Sequence, residues 1–83
     1  MQLLYFGWVR AKIGISKEEI DLPAGVSDVG TLIDWLQNRG SAHSGALEDL
    51  SIIRVAVNQE MAEMDTPIAA NDEVALFPPM TGG

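Results

Sequence analysis

The segment with the most direct chemical use is Pro78-Pro79-Met80-Thr81-Gly82-Gly83. Pro78 and Pro79 each fix φ and remove a backbone donor, so the chain beyond Phe77 is predicted to leave its sheet and run extended. Gly82 and Gly83 have no Cβ and can enter a channel too narrow for side chains, taking backbone angles closed to other residues. Only backbone and a carboxylate then reach the far end of such a channel. A carboxylate is a poor electrophile. Transfer of AMP from ATP makes it an acyl-adenylate, and a sulfur nucleophile can displace AMP to leave a thiocarboxylate. The pattern fits a group carrier whose reactive carbon belongs to Gly83, with Gly82 supplying clearance. A Gly-Gly end alone is also what a frayed terminus looks like. The stiff Pro-Pro pair directly after a strand favours the carrier reading.

The remaining composition removes other chemistries. Without cysteine there is no disulfide, thiolate zinc site, iron–sulfur cluster or cysteine nucleophile, so any sulfur arrives from outside. His43 has no second His or Cys near it and reads as a surface residue; no metal site is expected. Glu18-Glu19, Glu48-Asp49 and the Glu60, Glu63, Asp65 group lack calcium-loop spacing and a substrate cleft, and read as solvated faces. Arg10, Lys12 and Arg39 read as isolated surface charges. Trp35 lies beside a helical stripe, and Trp8 stands where a polar residue is expected. Five basic against twelve acidic residues, for a net charge of −7, argue against nucleic acid and anionic membrane and towards a protein partner. No apolar run approaches the ~20 residues of a membrane span. With no basic leader or cleavage site, a cytoplasmic location is expected.

Elements must position the tail. At 83 residues a single domain is expected. Gln2–Val9 reads as a strand, Arg10–Lys17 as a turn, and Glu18–Leu22 alternates as a second strand, giving an N-terminal hairpin. Asp28 is placed to cap a helix with the apolar stripe Val29, Leu32, Ile33, Leu36, ended by Gly40. Ser41–Ser51 reads as irregular, with at most one short helical turn. Ile52–Val57 is a strand, Asn58-Gln59-Glu60 a turn, and Met61–Ile68 holds a short edge strand before Pro67. Asn71-Asp72 turn the chain into a last strand, Glu73–Phe77. The predicted class is α+β, a mixed sheet of four to five strands packed on one main helix. Residues 1–77 form the domain and 78–83 the tail. The order fits the β-grasp (ubiquitin-like) fold, with first and last strands adjacent at the sheet centre. If Gln2 and Glu73 face water, then Leu4, Phe6 and Phe77 share their outward parity. With Met61 these aromatics are expected to form a docking patch.

The run Asp72-Glu73-Val74-Ala75-Leu76-Phe77-Pro78-Pro79-Met80-Thr81-Gly82-Gly83 resembles the C-terminal end of the small, sulfur-carrying subunits of molybdopterin synthase. Tyr5-Phe6 with Val9-Arg10, Val29-x-x-Leu32 and Ala56-Val57-Asn58-Gln59 agree with that family elsewhere. Met80 and Ala70-Asn71 depart from its usual residues. The resemblance implies that an E1-like enzyme uses ATP to adenylate Gly83 and that a sulfur donor then gives a thiocarboxylate. The tail, through Pro78, Pro79, Met80 and Thr81, enters the large synthase subunit in a heterotetramer. There it donates sulfur to cyclic pyranopterin monophosphate to build the molybdopterin dithiolene. The catalytic side chains are then the partner's, no cofactor is held permanently, and an acyl-adenylate forms transiently at Gly83. Phe6, Met61 and Phe77 match the apolar surface that the family uses. The alternatives are a sulfur carrier for thiamine or tRNA thiolation, a protein modifier forming isopeptide bonds, and a β-grasp interaction module with an inert tail.

Overall fold

The computed structural model describes residues 1–79. Along the chain run β1 (Gln2–Tyr5), α1 (Gly7–Ile13), β2 (Lys17–Glu19), α2 (Val29–Gln37), α3 (Ser41–Ala46), a 3-10 turn (Leu50–Ile52), β3 (Arg54–Val57), β4 (Glu60–Met61) and β5 (Glu73–Phe77). The five strands form one sheet in the order β2-β1-β5-β3-β4. β1 and β5 pair in parallel at its centre, from Gln2 opposite Glu73 to Tyr5 opposite Leu76, and the other pairs are antiparallel. This is the mixed α+β sheet expected, with first and last strands adjacent.

Strand alternation supplies one half of the core and helical periodicity the other. Leu3, Tyr5, Val55, Val74 and Leu76 are buried together with Val29, Leu32, Ile33 and Leu36 of α2. α2 starts where the sequence indicates. Asp28 Oδ1 accepts from the Thr31 backbone N–H at 2.8 Å, and Thr31 Oγ1 accepts from the Asp28 N–H at 3.1 Å. This reciprocal cap satisfies two backbone N–H groups at the start of the helix.

Six readings need correction. The first strand stops at Tyr5 rather than Val9, because Gly7 sits at φ +58, outside strand geometry, and α1 follows. Val9 and Ile13, one helical turn apart, are the residues α1 buries, and Gly14 ends it in the left-handed region with its N–H on the Arg10 carbonyl. The hairpin connection is therefore a short helix, and β2 spans Lys17–Glu19 rather than Glu18–Leu22. α2 ends at Gln37 with Asn38 as its C-cap, before Gly40. The stretch read as irregular holds α3, whose Ala46 is buried with Leu47 beyond it. The 3-10 turn after it takes Ile52 out of β3 and is capped by Asp49, which accepts from the Ser51 N–H at 3.0 Å.

Glu18 and His43 are not surface residues: their side chains are only 15% and 16% exposed. The buried Tyr5 hydroxyl donates to Glu18 Oε2 at 2.6 Å, His43 Nε2 lies 2.9 Å from the same oxygen, and Arg39 Nη1 pairs with Oε1. An ionised carboxylate only accepts, so His43 must carry its proton on Nε2. The Arg39 guanidinium also stacks 4.9 Å from the Trp35 ring centroid. Arg39 is thus part of a cluster tying β1, β2 and α3 to the end of α2. Burial pushes the Glu18 carboxyl up, but hydrogen bonds from Tyr5, His43 and Arg39 and the Arg39 charge outweigh it and hold it at about 2. For the Tyr5 hydroxyl, burial first and then the hydrogen bond to Glu18 raise it well above the usual phenol.

A folded-state value below the unfolded one means that the Glu18 contribution is present above the ordinary carboxylate range and is lost as pH falls towards about 2. Urea unfolding of Glu18→Gln is expected to show a loss of about 1–3 kcal/mol at neutral pH. The gap to the parent should close on acidification through that window; a gap independent of pH would refute the charged form of the cluster.

Candidate functional site: the open sheet face and the root of the tail

All three helices pack against one face of the sheet, where the buried residues lie. The opposite face is described by cross-strand register. Lys17, Leu4, Ala75, Ala56 and Met61 form one row across all five strands. Directly opposed residues share a side of the sheet, so this row and its neighbour, Phe77 opposite Arg54, face away from the helices.

Phe6 follows β1 without a break in contact, its N–H donating to the Leu76 carbonyl at 3.1 Å. This bond holds Phe6 beside the end of β5, where it is 49% exposed. Leu4, Phe6, Ala75, Phe77 and Pro78 line a shallow apolar depression with Gln59 and Glu73 at its rim. Phe6, Phe77 and Pro78 are therefore brought together at the point where the chain leaves the sheet. Met61 is 67% exposed but stands at the other end of its row, separated from the aromatics by Ala56 and Ala75. It also borders a second groove with Leu50, Ile53 and Met64 behind strand β4. Pro79 is described and half-buried; Met80, Thr81, Gly82 and Gly83 lie outside the described residues.

One residue of this site escaped the sequence reading. An ideal Cβ built on Gly7 lies 2.7 Å from Pro78 Cγ and 3.0 Å from Cδ. Gly7 also sits at φ +58, which L-residues with side chains rarely adopt. Its two roles, ending β1 and letting Pro78 lie against the turn, both depend on the missing side chain. The available signal was a glycine inside an otherwise apolar strand-like run, which marks a bend or a close backbone approach. The chemistry this arrangement allows is that of an apolar docking surface beside Pro78 and Pro79. Two apolar rows give non-directional adhesion, and Gly7 makes room for Pro78 to lie against the turn.

The ThiS family model matches residues 3–83. The chain belongs to the ThiS family. Among relatives in the family, the molybdopterin synthase sulfur carrier subunit of Escherichia coli strain K12 is 35% identical, the match covering 100% of this chain and 99% of that one. A molybdopterin converting factor subunit 1 from Pyrococcus furiosus superposes with a TM-score of 0.77 at 30% identity, over 95% of each chain. The fold is also shared, at a TM-score of 0.65 and 24% identity over 99% and 96% of the two chains, with a chain from the complex of subunits 1 and 2 of the Helicobacter pylori 26695 molybdopterin-converting factor. Family membership agrees with the β-grasp architecture described above.

Gly7→Ala is expected to destabilise the protein by about 1–3 kcal/mol, through positive-φ strain and displacement of Pro78. Gly45→Ala is the matched control: it lies within α3, a Cβ there meets nothing within 4 Å, and a gain of up to ~1 kcal/mol is expected. Parallel urea titrations check the contrast, with the Pro78 carbon shifts in NMR spectra reporting whether the tail root moves in Gly7→Ala alone.

Proposed function

We propose that this chain is the sulfur-carrier subunit of a molybdopterin synthase, acting through the carboxylate of Gly83. The observation that carries the reading is the β1–β5 register. It sets an exposed Phe6 and a half-buried Phe77 beside the Pro78-Pro79 pair, so that one surface can hold a partner while the glycine tail enters it. The family relatives, named as sulfur carriers of that enzyme, support the same role.

In this role an E1-like enzyme transfers AMP from ATP to a Gly83 carboxylate oxygen and releases pyrophosphate. A sulfur donor attacks the acyl carbon, AMP departs, and reduction of any remaining sulfur–sulfur bond by thiol leaves a thiocarboxylate. Phe6, Phe77 and Met61 then dock on the large synthase subunit, while Pro78, Pro79, Met80 and Thr81 form the thread that carries Gly82 and Gly83 inside. The terminal sulfur passes to cyclic pyranopterin monophosphate, and hydrolysis returns the carboxylate. The chain contributes a reactive group and its placement; the acids and bases belong to its partners.

Intact mass spectra taken before and after incubation with ATP, the cognate activating enzyme and a sulfur donor should show replacement of one oxygen by sulfur, localised to Gly83. A variant lacking Gly82 and Gly83 should show none. No gain in the full chain, with an enzyme active on another carrier, would refute the carrier reading. Transfer of that sulfur to a thiazole or tRNA acceptor instead of the pyranopterin would select the other carriers. Phe6→Ala should weaken binding to the large subunit by roughly 10- to 100-fold while leaving the unfolding midpoint near the parent value, since Phe6 lies outside the buried core.

A further inference from the structure

Charges on the open face are sorted along the strands. Register puts Lys17 opposite Leu4 and Arg54 opposite Phe77, at the end where the tail leaves, and puts Glu19 and Glu73 on either side of Gln2 at the other end. Because directly opposed residues share a face, these four charges are ordered along the strands: Glu19 and Glu73 beside Gln2, Lys17 in the Leu4 row and Arg54 beside Phe77 at the tail end. Lys17, Arg54 and Glu19 are exposed, and Glu73 is half-buried at the rim of the depression. Among the described residues, Glu18 takes the ion pairs, with Arg39 and His43, and none of the four is paired. The Arg54 guanidinium donates to the Ser51 and Ile53 carbonyls at 3.2 and 3.1 Å, which fixes it at its edge without neutralising it. α1, which follows that end of β1 on the helical side, carries Arg10 and Lys12. Of the five lysines and arginines, Lys17 and Arg54 stand on the open face itself.

We propose that the open face docks on a protein surface graded in the opposite sense, acidic beside the mouth that admits the tail and basic under Glu19 and Glu73. The inference rests on the carrier reading and deepens it. Apolar rows adhere in more than one orientation, and only one of the two orientations along the strands sends the tail into the partner. A charge gradient parallel to the strands selects that orientation during encounter, because the reversed approach sets like charges together. The overall acidity cannot do this, since net charge attracts without orienting.

The test exchanges the gradient at constant net charge. Lys17→Glu combined with Glu19→Lys leaves the net charge at −7 and alters two exposed positions of edge strand β2. Stopped-flow association with the large synthase subunit is expected to slow about tenfold or more at low ionic strength, and the difference should close by ~0.5 M salt. An association rate equal to the parent's at low salt would overturn the gradient while leaving the carrier reading intact. If the parent chain itself does not associate, the carrier reading fails and the gradient with it. Should the swap unfold, Arg54→Glu with Glu73→Lys exchanges the opposite pair at the same net charge, with the same expected slowing and the same refuting result.

Discussion

The parallel pairing of β1 with β5 is the constraint on which the rest of the molecule depends. It joins the two strands most distant in sequence at the centre of the sheet and fixes the register of everything around them. Sliding β1 along β5 by one residue would carry Leu3 and Tyr5 to water and bring Leu4 inward. The core therefore holds this register, and through it holds Phe6 beside Phe77 and Gly7 against Pro78. The docking face is the complement of the core, specified by the same alternation.

The two faces are stabilised in different ways. On the helical side, apolar packing is completed by the ionised Glu18, which gathers Tyr5, His43 and Arg39 from separate elements. Removing any one donor would leave a mostly buried carboxylate under-bonded, so the cluster constrains the relative placement of β2, α2 and α3. The open face carries no comparable network among the described residues. Its apolar rows stay uncovered among the described residues.

The sequence made some of this legible and hid the rest for physical reasons. α2 could be read because its cap, its stripe and its length all agree, and β5 because alternation runs unbroken into Pro78. The outward parity of Leu4, Phe6 and Phe77 followed from Gln2 and Glu73 alone. α1 was hidden because Trp8 and Val9 favour strands, and its two bounding glycines, Gly7 and Gly14, say where the chain can turn but not that a helix lies between them. The polar cluster was hidden because Glu18 and His43 meet only once β2 and α3 are packed; neither has a local partner that marks it. The contact of Gly7 with Pro78 is of the same kind, made by the tertiary pairing of strands and written in no local pattern. The tail residues Met80 to Gly83 were read from residue type and lie outside the described structure.

The central position of β5 ties closure of the sheet to the arrival of its last strand. A nascent chain that has emerged only as far as β4 has β1 and β3 with no strand between them, and both carry open backbone edges that invite pairing with other chains. Long-range pairing of this kind closes last in folding. The docking face, the root of the tail and the sealed sheet thus come into being in one event, when Glu73–Phe77 takes its place. A chain without β5 has neither the closed sheet nor the paired surface of Phe6 and Phe77.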